Sequence, residues 1–409
     1  MSILEAAPVS RSDTAGLMLD HAALSELVGA PVRATHLRHK PGLSTTAALV
    51  DAADGSFVGW AQACHEGHLD KVRNAVRAAA ERGLRVHVRL VQGSPGMRLV
   101  HGSIDTDPQL RRGLRTLGPA LPSVESSVQS GRLRVLRYNP HRRLVLRRDV
   151  PDHQPLGIRV TADKQPDANP TRRVLEAAGV PVLRPTRSQD IRRTRRVTVW
   201  PWYGCGDLAG CGLTAGLAGR AARRTGGALA RLHGIAQVAG DVRHGPAEIE
   251  SALVGLAGDL HHLDPSAAGR TAGLTEQVLR RLGDGPAWRG AVLAHGDFSA
   301  DQVLVDHDGH IRLIDFDRMG LAPAALDLGS FAAMELLTSA RPPTDLPLTG
   351  RVLEGYRLAG GAEPEAATLT AWTARALLTR VMEPFRAGRP DWSSGVHARL
   401  DQIEEVLAQ

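Results

Sequence analysis

The segment Ala294–Leu304, together with Leu313–Asp317, constrains the fold of this chain more than any other part of its sequence. In both segments acidic residues flank short apolar runs, and residues 306–309 between them read Asp-His-Asp-Gly. An Asp/Gly turn between two apolar runs is typical of a β-hairpin. We therefore predict two antiparallel strands, Val303–Val305 and Ile311–Ile314.

This hairpin would bring two carboxylates to the same end, because Asp297 precedes its first strand and Asp315 follows its second. Phosphoryl transfer needs such a pair: one carboxylate orients or deprotonates the attacking hydroxyl, and the other holds the magnesium ion on the nucleotide phosphates. Gln302 follows Asp297 after five residues, and Asp315 follows it after eighteen. The spacing is the one that protein kinases use in their H-R-D-x-x-x-x-N and D-F-G motifs.

His295-Gly296-Asp297, Gln302 and Asp315-Phe316-Asp317 stand in this frame. With glycine in the second position, the pattern resembles the aminoglycoside phosphotransferase family, the small-molecule branch of the kinase-like fold. The resemblance implies that Asp297 is the catalytic base or orienter. It also implies that Asp315 is the principal magnesium ligand, assisted by Gln302 and Asp317.

Gln302 departs from the family, which has asparagine at this position. Glutamine keeps the amide oxygen that can bind magnesium, but its extra methylene moves that oxygen by roughly 1.5 Å. Three adaptations remain open: the site adjusts to the longer side chain, it uses Asp301 or Asp317, or it binds a single metal ion.

The resemblance also implies a nucleotide-binding set. Arg159, on a predicted strand over 156–161, aligns with the lysine that contacts phosphates in the family, and Lys164 is the alternative. Backbone groups near Trp202 would bind the adenine edge, although its ring could equally be ordinary core packing. His295 and Gln302 complete the set on the side of the catalytic loop.

Two further residues have supporting roles in the resembled family. The helix ending Gly226–His233 resembles the one that supports the catalytic loop, so His233 is predicted to be structural. Asp327 matches an aspartate that ties this loop by hydrogen bonds, and a plain helix-start aspartate is the alternative.

A helical hairpin is predicted over 246–262 and 270–283, where family members carry acceptor-binding helices. Its acidic residues would suit a cationic acceptor such as an amino sugar, and a solvated helix face explains them equally well. These residues are Glu248, Glu250, Asp259 and Asp264.

The predicted fold class is α+β: a protein-kinase-like bilobal fold with a small β-rich lobe, a large mainly helical lobe and an added α/β N-terminal cap. We place the cap at 1–125, the small lobe at 126–202 and the large lobe at 203–409. In the cap we predict strands over 33–39, 44–50, 57–63, 85–91 and 97–100, and a helix over 105–117 capped by Asp105.

Charge and hydropathy indicate which classes of partner this protein binds. The formal net charge is +7, and the densest basic run lies at 184–196. That run has no aromatic residues for base stacking and no nucleic-acid motif, so we expect no nucleic-acid partner. No apolar run approaches the ~20 residues of a membrane span, so we expect no membrane partner. Three scattered cysteines favour a reducing, cytoplasmic location.

Together these features predict an ATP- and Mg²⁺-dependent kinase that phosphorylates a hydroxyl of a small molecule. Aminoglycosides, sugars, amino sugars and amino alcohols are the candidate acceptors. The alternative is a pseudokinase, suggested by Gln302 and Arg159 in place of asparagine and lysine. The sequence does not specify the oligomeric state or distinguish ATP from GTP.

Overall fold

The computed structural model describes residues 13–65, 69–118, 121, 123–149, 154–186, 191, 194–236, 245–283, 290–339 and 341–409. Part of the basic run, residues 187–190, 192 and 193, lies outside the described residues. Two compact units are present. Unit 1 comprises Met1–Asp167, Arg184–Trp202 and Glu383–Gly395, and unit 2 comprises Ala168–Leu183, Tyr203–Met382 and Val396–Gln409.

The strands are, in chain order, β1 (Val32–Lys40), β2 (Ser44–Asp51), β3 (Phe57–Cys64), β4 (Val86–Leu90), β5 (Arg98–Ser103), β6 (Leu133–Asn139), β7 (Arg143–Arg148), β8 (Leu156–Thr161), β9 (Val197–Pro201), β10 (Gly206–Asp207), β11 (Val292–Ala294), β12 (Val303–Val305), β13 (Ile311–Leu313) and β14 (Gly320–Ala322).

The α-helices are α1 (Thr14–Leu19), α2 (His21–Val28), α3 (Leu69–Ala80), α4 (Arg111–Leu114), α5 (Val124–Gln129), α6 (Asn169–Ala177), α7 (Ala215–His233), α8 (Pro246–His261), α9 (Pro265–Leu282), α10 (Ala324–Thr338), α11 (Pro347–Leu358), α12 (Ala366–Leu378), α13 (Glu383–Arg386) and α14 (Trp392–Leu407). None of the described helices is both long enough and apolar enough to cross a membrane.

Unit 1 contains two antiparallel sheets, ordered β1-β2-β3-β5-β4 and β6-β7-β8-β9. The five predicted strands of the cap segment are confirmed by the first sheet. The second sheet alternates as a half-buried sheet should, with Leu144, Leu146, Ile158 and Val160 buried on one face. Both sheets contribute to one hydrophobic core, in which Trp60 of β3 packs with Tyr138 of β6. The cap segment and the four-stranded sheet therefore share their interior.

The predicted helix over 105–117 is wrong for most of its length, since only Arg111–Leu114 is α-helical there. Asp105 caps a different helix: its carboxylate accepts hydrogen bonds from the backbone N–H groups of Val124 and Glu125, at the start of α5. The neighbouring Asp107 is fully buried and accepts a 2.8 Å bond from the hydroxyl of Tyr138. The carboxylate of Asp105, which the local pattern assigned to the start of the predicted helix, is therefore used by long-range bonds instead.

In unit 2, helix α7 packs closely on α11. A Cβ at Gly226 of α7 would lie 1.9 Å from the carbonyl oxygen of Val352, and a Cβ at Gly355 of α11 would lie 1.9 Å from that of Arg223. The two glycines allow the helix backbones to approach, and α7 then carries His233 at its end.

Segment 168–183, which we assigned to the small lobe, packs within unit 2. The backbone N–H of Leu313 donates a 2.7 Å bond to the carbonyl of Pro181, and Val182 bridges Leu313 in parallel. This segment therefore attaches directly to the strand that leads to Asp315.

Candidate active site

The predicted hairpin forms in unit 2. Val303 pairs with Leu313 and Val305 with Ile311 in antiparallel register. Beyond the last ladder pair, the N–H of Ile314 donates a 3.1 Å bond to the carbonyl of Gln302. Because this bond closes the end of the ladder, Gln302 and Asp315 lie at the same end of the hairpin.

Asp327, near the start of α10, holds the loop that contains Asp297. Its carboxylate is fully buried and accepts bonds from the backbone N–H groups of His295 (2.6 Å) and Gly296 (2.9 Å). The prediction that Asp327 ties this loop by hydrogen bonds is confirmed. Charge-assisted bonds to backbone donors are among the stronger ones in proteins, so the loop conformation is well determined.

Behind Asp327 lies a short buried chain of polar groups. His233 Nε2 is 3.1 Å from Asp327 and its Nδ1 is 2.8 Å from the Tyr356 hydroxyl. An ionised carboxylate only accepts, so Nε2 carries a proton and donates it to Asp327, while Nδ1 of a neutral ring accepts from Tyr356. His233 is thus structural, as predicted.

Two groups of this buried polar network, Asp327 and Tyr356, have shifted pKa values. Burial would raise the pKa of Asp327, but the hydrogen bonds from His233 Nε2 and from the backbone N–H of His295 outweigh it and hold that pKa below its usual value. Burial and the nearby Asp327 charge raise the pKa of Tyr356 to about 12. Asp327 therefore remains an acceptor and Tyr356 a donor at neutral pH.

The side chain of His295 joins the two motifs. Its Nε2 lies 2.9 Å from the carbonyl oxygen of Ile314, and its ring packs against Phe298 and Phe316 at 5.5 and 4.8 Å between centroids. His295 is 0% exposed. The imidazole therefore positions the residues around Asp297 and Asp315, and it presents no surface to a nucleotide.

The side chain of Asp297 is 39% exposed and forms two ion pairs. Its Oδ2 lies 3.4 Å from Arg318 and its Oδ1 lies 3.5 Å from Arg380. The carboxylate is thus oriented by cations on both sides and is open to solvent. That is the arrangement expected of a group that receives a hydroxyl from outside the protein.

Asp315 is half-buried and adopts the left-handed conformation, with φ 65°. A residue other than glycine in this region costs about 1 kcal/mol, and such strain clusters at functional sites. Asp317, two residues later, is exposed. Gln302 donates its Nε2 to Asp301 at 3.2 Å, so its amide oxygen is the atom that could bind a cation.

Carboxylate and amide oxygens are the ligands that Mg²⁺ prefers, and one or two carboxylates suffice when nucleotide phosphates supply the rest. Asp315, Asp317 and Gln302 fit that requirement. Within the described residues, three potential metal ligands also lie close together at the hairpin turn: Asp306, Asp308 and His310. Asp306 already accepts from the turn N–H groups of Asp308 and His310, so this cluster is explained by the turn.

The other predicted nucleotide contacts lie in unit 1. Arg159 is half-buried on β8, with its guanidinium 5.5 Å from the ring centroid of Trp200, and Lys164 is exposed. Trp202 donates its N–H to Pro155 at 2.7 Å and accepts at its carbonyl from Gln154 at 3.0 Å. Both of its backbone groups are therefore engaged within unit 1.

The acidic residues of the predicted acceptor helices divide into two kinds. Glu248, Glu250 and Asp259 are exposed on α8. Asp264 instead caps α9, where it accepts from the N–H of Ala267 at 3.0 Å, and it lies 3.3 Å from His397. A solvated face and a helix cap account for all four without a ligand.

A family model described as the phosphotransferase enzyme family (APH) matches residues 126–383. This chain belongs to that family. Membership confirms the resemblance read from the catalytic motif, the α+β kinase-like fold class and the expectation of a small-molecule phosphotransferase enzyme.

Solved structures of other phosphotransferases are similar to this one. A spectinomycin phosphotransferase bound to AMP is 15% identical, with a TM-score of 0.49, and the match covers 65% of this chain and 91% of that chain. An amicoumacin kinase in complex with AMP-PNP and Ca²⁺ is 14% identical, with a TM-score of 0.48 and coverages of 69% and 93%. A choline/ethanolamine kinase family protein from Mesorhizobium loti is 16% identical, with a TM-score of 0.45 and coverages of 67% and 88%. Comparison with curated proteins found no significant match.

Sequence reasoning missed three arginines of the phosphotransferase that lie near Asp297. Arg318 and Arg380 form ion pairs with it, and Arg375 lies within α12, five residues before Arg380. In an arginine-rich chain no local pattern distinguishes these three from the others.

Proposed function

We propose that this phosphotransferase moves the γ-phosphoryl group of ATP, bound with Mg²⁺, to a hydroxyl group of a small molecule. The observation that carries the proposal is the loop bearing Asp297, held from inside by Asp327 and joined through His295 to the segment bearing Asp315. Family membership supports the same reaction class.

Asp297 accepts a hydrogen bond from the acceptor hydroxyl and takes its proton as the oxygen attacks. The new bond forms between that oxygen and the γ-phosphorus, and the bond from the γ-phosphorus to the bridging oxygen breaks, so that ADP leaves with the electron pair. Positioning and charge stabilisation supply most of the catalysis in such reactions. The bonds from His295 and Gly296 to Asp327 serve that positioning, since they fix the backbone that carries Asp297.

Asp315 would hold the magnesium ion, with the amide oxygen of Gln302 and the carboxylate of Asp317 available as further ligands. The ion would neutralise charge on the nucleotide phosphates. Within unit 1, Arg159 or Lys164 is the proposed phosphate-binding residue. The left-handed backbone of Asp315 supports the assignment, because strained residues other than glycine cluster at functional sites.

Calorimetry of ATP binding, with and without Mg²⁺, tests the proposal on the wild type and on Asp315→Ala. Binding should require Mg²⁺ and be lost in the variant. Asp70→Ala is the matched control, since the Asp70 side chain is 92% exposed. It should bind as the wild type does.

Absence of ATP binding in a protein shown by circular dichroism to be folded would overturn the proposal. The pseudokinase reading would then take its place. Mg²⁺-independent binding that survives Asp315→Ala would reject the assigned metal ligand and leave the nucleotide assignment standing.

A further inference from the structure

Three arginines surround Asp297 in unit 2. Arg318 and Arg380 form its ion pairs, and the charges that act on Arg375 are those of Arg380, Asp297, Arg318 and Asp327. Arg318 is 67% exposed, whereas the side chain of Arg380 is only 16% exposed. The arginine cluster therefore extends from the solvent beside Asp297 to the C-terminal end of α12.

The Nε of Arg375 is buried, although the residue as a whole is only half-buried, and this atom has no hydrogen-bond partner among the described residues. Burial, followed by repulsion from Arg380, lowers the pKa of Arg375 to about 10. The guanidinium remains charged at neutral pH, and a buried N–H donor without a partner is costly.

The nearby carboxylates do not balance this charge. Asp327 is already bound to two backbone N–H groups and to His233. The contacts of Asp297 with Arg318 and Arg380 are 3.4 and 3.5 Å, against the 2.7–2.9 Å usual for charge-assisted bonds. The cluster contains five charged groups. Three are positive, namely Arg318, Arg375 and Arg380, and two are negative, namely Asp297 and Asp327.

We propose that the hydroxyl acceptor carries an anionic group, a carboxylate or a phosphate, which Arg375 and Arg380 bind beside Asp297. Planar guanidinium groups match the paired oxygens of both anions. Such a contact would place the acceptor hydroxyl at Asp297 and would give the buried Nε of Arg375 a partner. This inference rests on the proposed function, and it replaces the expectation of a cationic acceptor with an acidic one.

Binding of small anions tests the site directly. Inorganic phosphate and acetate, with glycerol as the neutral probe, are titrated into the full chain in the presence and absence of AMP-PNP and Mg²⁺. The variants are Arg375→Gln, Arg380→Gln and Arg380→Lys. Arg357→Gln is the matched control, because Arg357 is 66% exposed in the same unit.

We expect both anions to bind with the nucleotide present, and each Gln variant to raise the Kd at least about tenfold, as loss of one charged hydrogen bond predicts. Arg380→Lys should keep most of the affinity, and Arg357→Gln should keep all of it. Anion binding that is absent, or unchanged in both Gln variants, overturns the inference. Should Arg375→Gln fail to fold, the two Arg380 variants decide the result.

The nucleotide arm separates two sources of anion. Phosphate binding that disappears when AMP-PNP is bound would mean that the arginines serve the nucleotide phosphates, and the inference would fail. A chain that binds the anions but not AMP-PNP would overturn the proposed kinase and leave the anion site intact.

Acceptor preference gives a second readout. Glucuronate and glucose 6-phosphate carry an anionic group at C6, whereas glucosamine carries an ammonium group at C2, and the two acids should be phosphorylated with the higher kcat/KM. The Arg380→Gln variant should raise KM for the acid and leave KM for ATP unchanged. A preference for glucosamine would contradict an acidic acceptor.

Discussion

The backbone N–H of His295 donates a 2.6 Å hydrogen bond to the buried carboxylate of Asp327. Gly296 donates to the other carboxylate oxygen. Two residues before the proposed catalytic aspartate, the chain is therefore fixed to the start of α10. The proposed site therefore depends on a fully buried carboxylate.

Replacing this carboxylate should be costly. Asp327→Asn puts an amide where backbone N–H groups and His233 need an acceptor, so the free energy of unfolding should fall by about 3–5 kcal/mol. Chemical denaturation followed by circular dichroism measures the loss. Asp345→Asn is the control, since Asp345 is 55% exposed, and it should change stability by less than about 1 kcal/mol. Equal effects of the two substitutions would contradict the anchoring role.

Asp327 should also make stability depend on pH. Its pKa is lowered in the folded state, so its contribution is complete above the pKa of the unfolded chain, about 4, and is lost as the pH falls through the folded value. We expect the unfolding free energy to decline below about pH 4, and to decline less steeply in Asp327→Asn. Unfolding curves at a series of acidic pH values check this, and parallel pH profiles would exclude it.

The Tyr356 hydroxyl should contribute measurably to stability. Tyr356→Phe removes the donor to a buried His233 Nδ1 and should cost about 1–3 kcal/mol. Tyr203→Phe removes a 3.2 Å bond to Asp306 at a half-buried position, so it should cost less. Thermal and chemical unfolding of both variants give the comparison. A larger loss of stability in Tyr203→Phe would contradict the importance of the buried hydrogen bond between Tyr356 and His233.

Alanine substitutions at two glycines of α7 should change the stability of the protein in opposite directions. Gly226→Ala forces a methyl group against the Val352 carbonyl, so the helices must separate and stability should fall by about 1–3 kcal/mol. At Gly216 the nearest atom to an added Cβ is 3.9 Å away, so alanine should stabilise by up to about 1 kcal/mol. The melting temperatures of the two variants test the close packing of α7 on α11.

Asp297→Asn should reduce kcat by several orders of magnitude, because the amide cannot take the proton of the attacking hydroxyl. Binding of ATP with Mg²⁺ should persist, which calorimetry can verify on the same sample. Asp70→Asn provides the exposed control and should retain full turnover. Turnover of Asp297→Asn within tenfold of the wild type would remove Asp297 from the mechanism.

Local pattern predicted the hairpin well because its signals lie within a few residues of each other. The turn at 306–309 and the apolar runs beside it determine the strands, and the register follows from the length of the loop. The same kind of reasoning failed at Asp105. That carboxylate caps α5, some twenty residues further along the chain, and no local rule could indicate which helix start it would meet.

The amino-acid sequence by itself determined the hairpin, and with it the spacing of the proposed site residues Asp297, Gln302 and Asp315. The tertiary structure decided what surrounds them. Arg380 reaches Asp297 from 83 residues further along the chain, and the carboxylate of Asp327 is buried beneath the loop only when α7, α10 and α11 are packed together. Desolvation and ion pairing depend on distances in the folded protein, and these distances are set by packing between elements far apart in the chain.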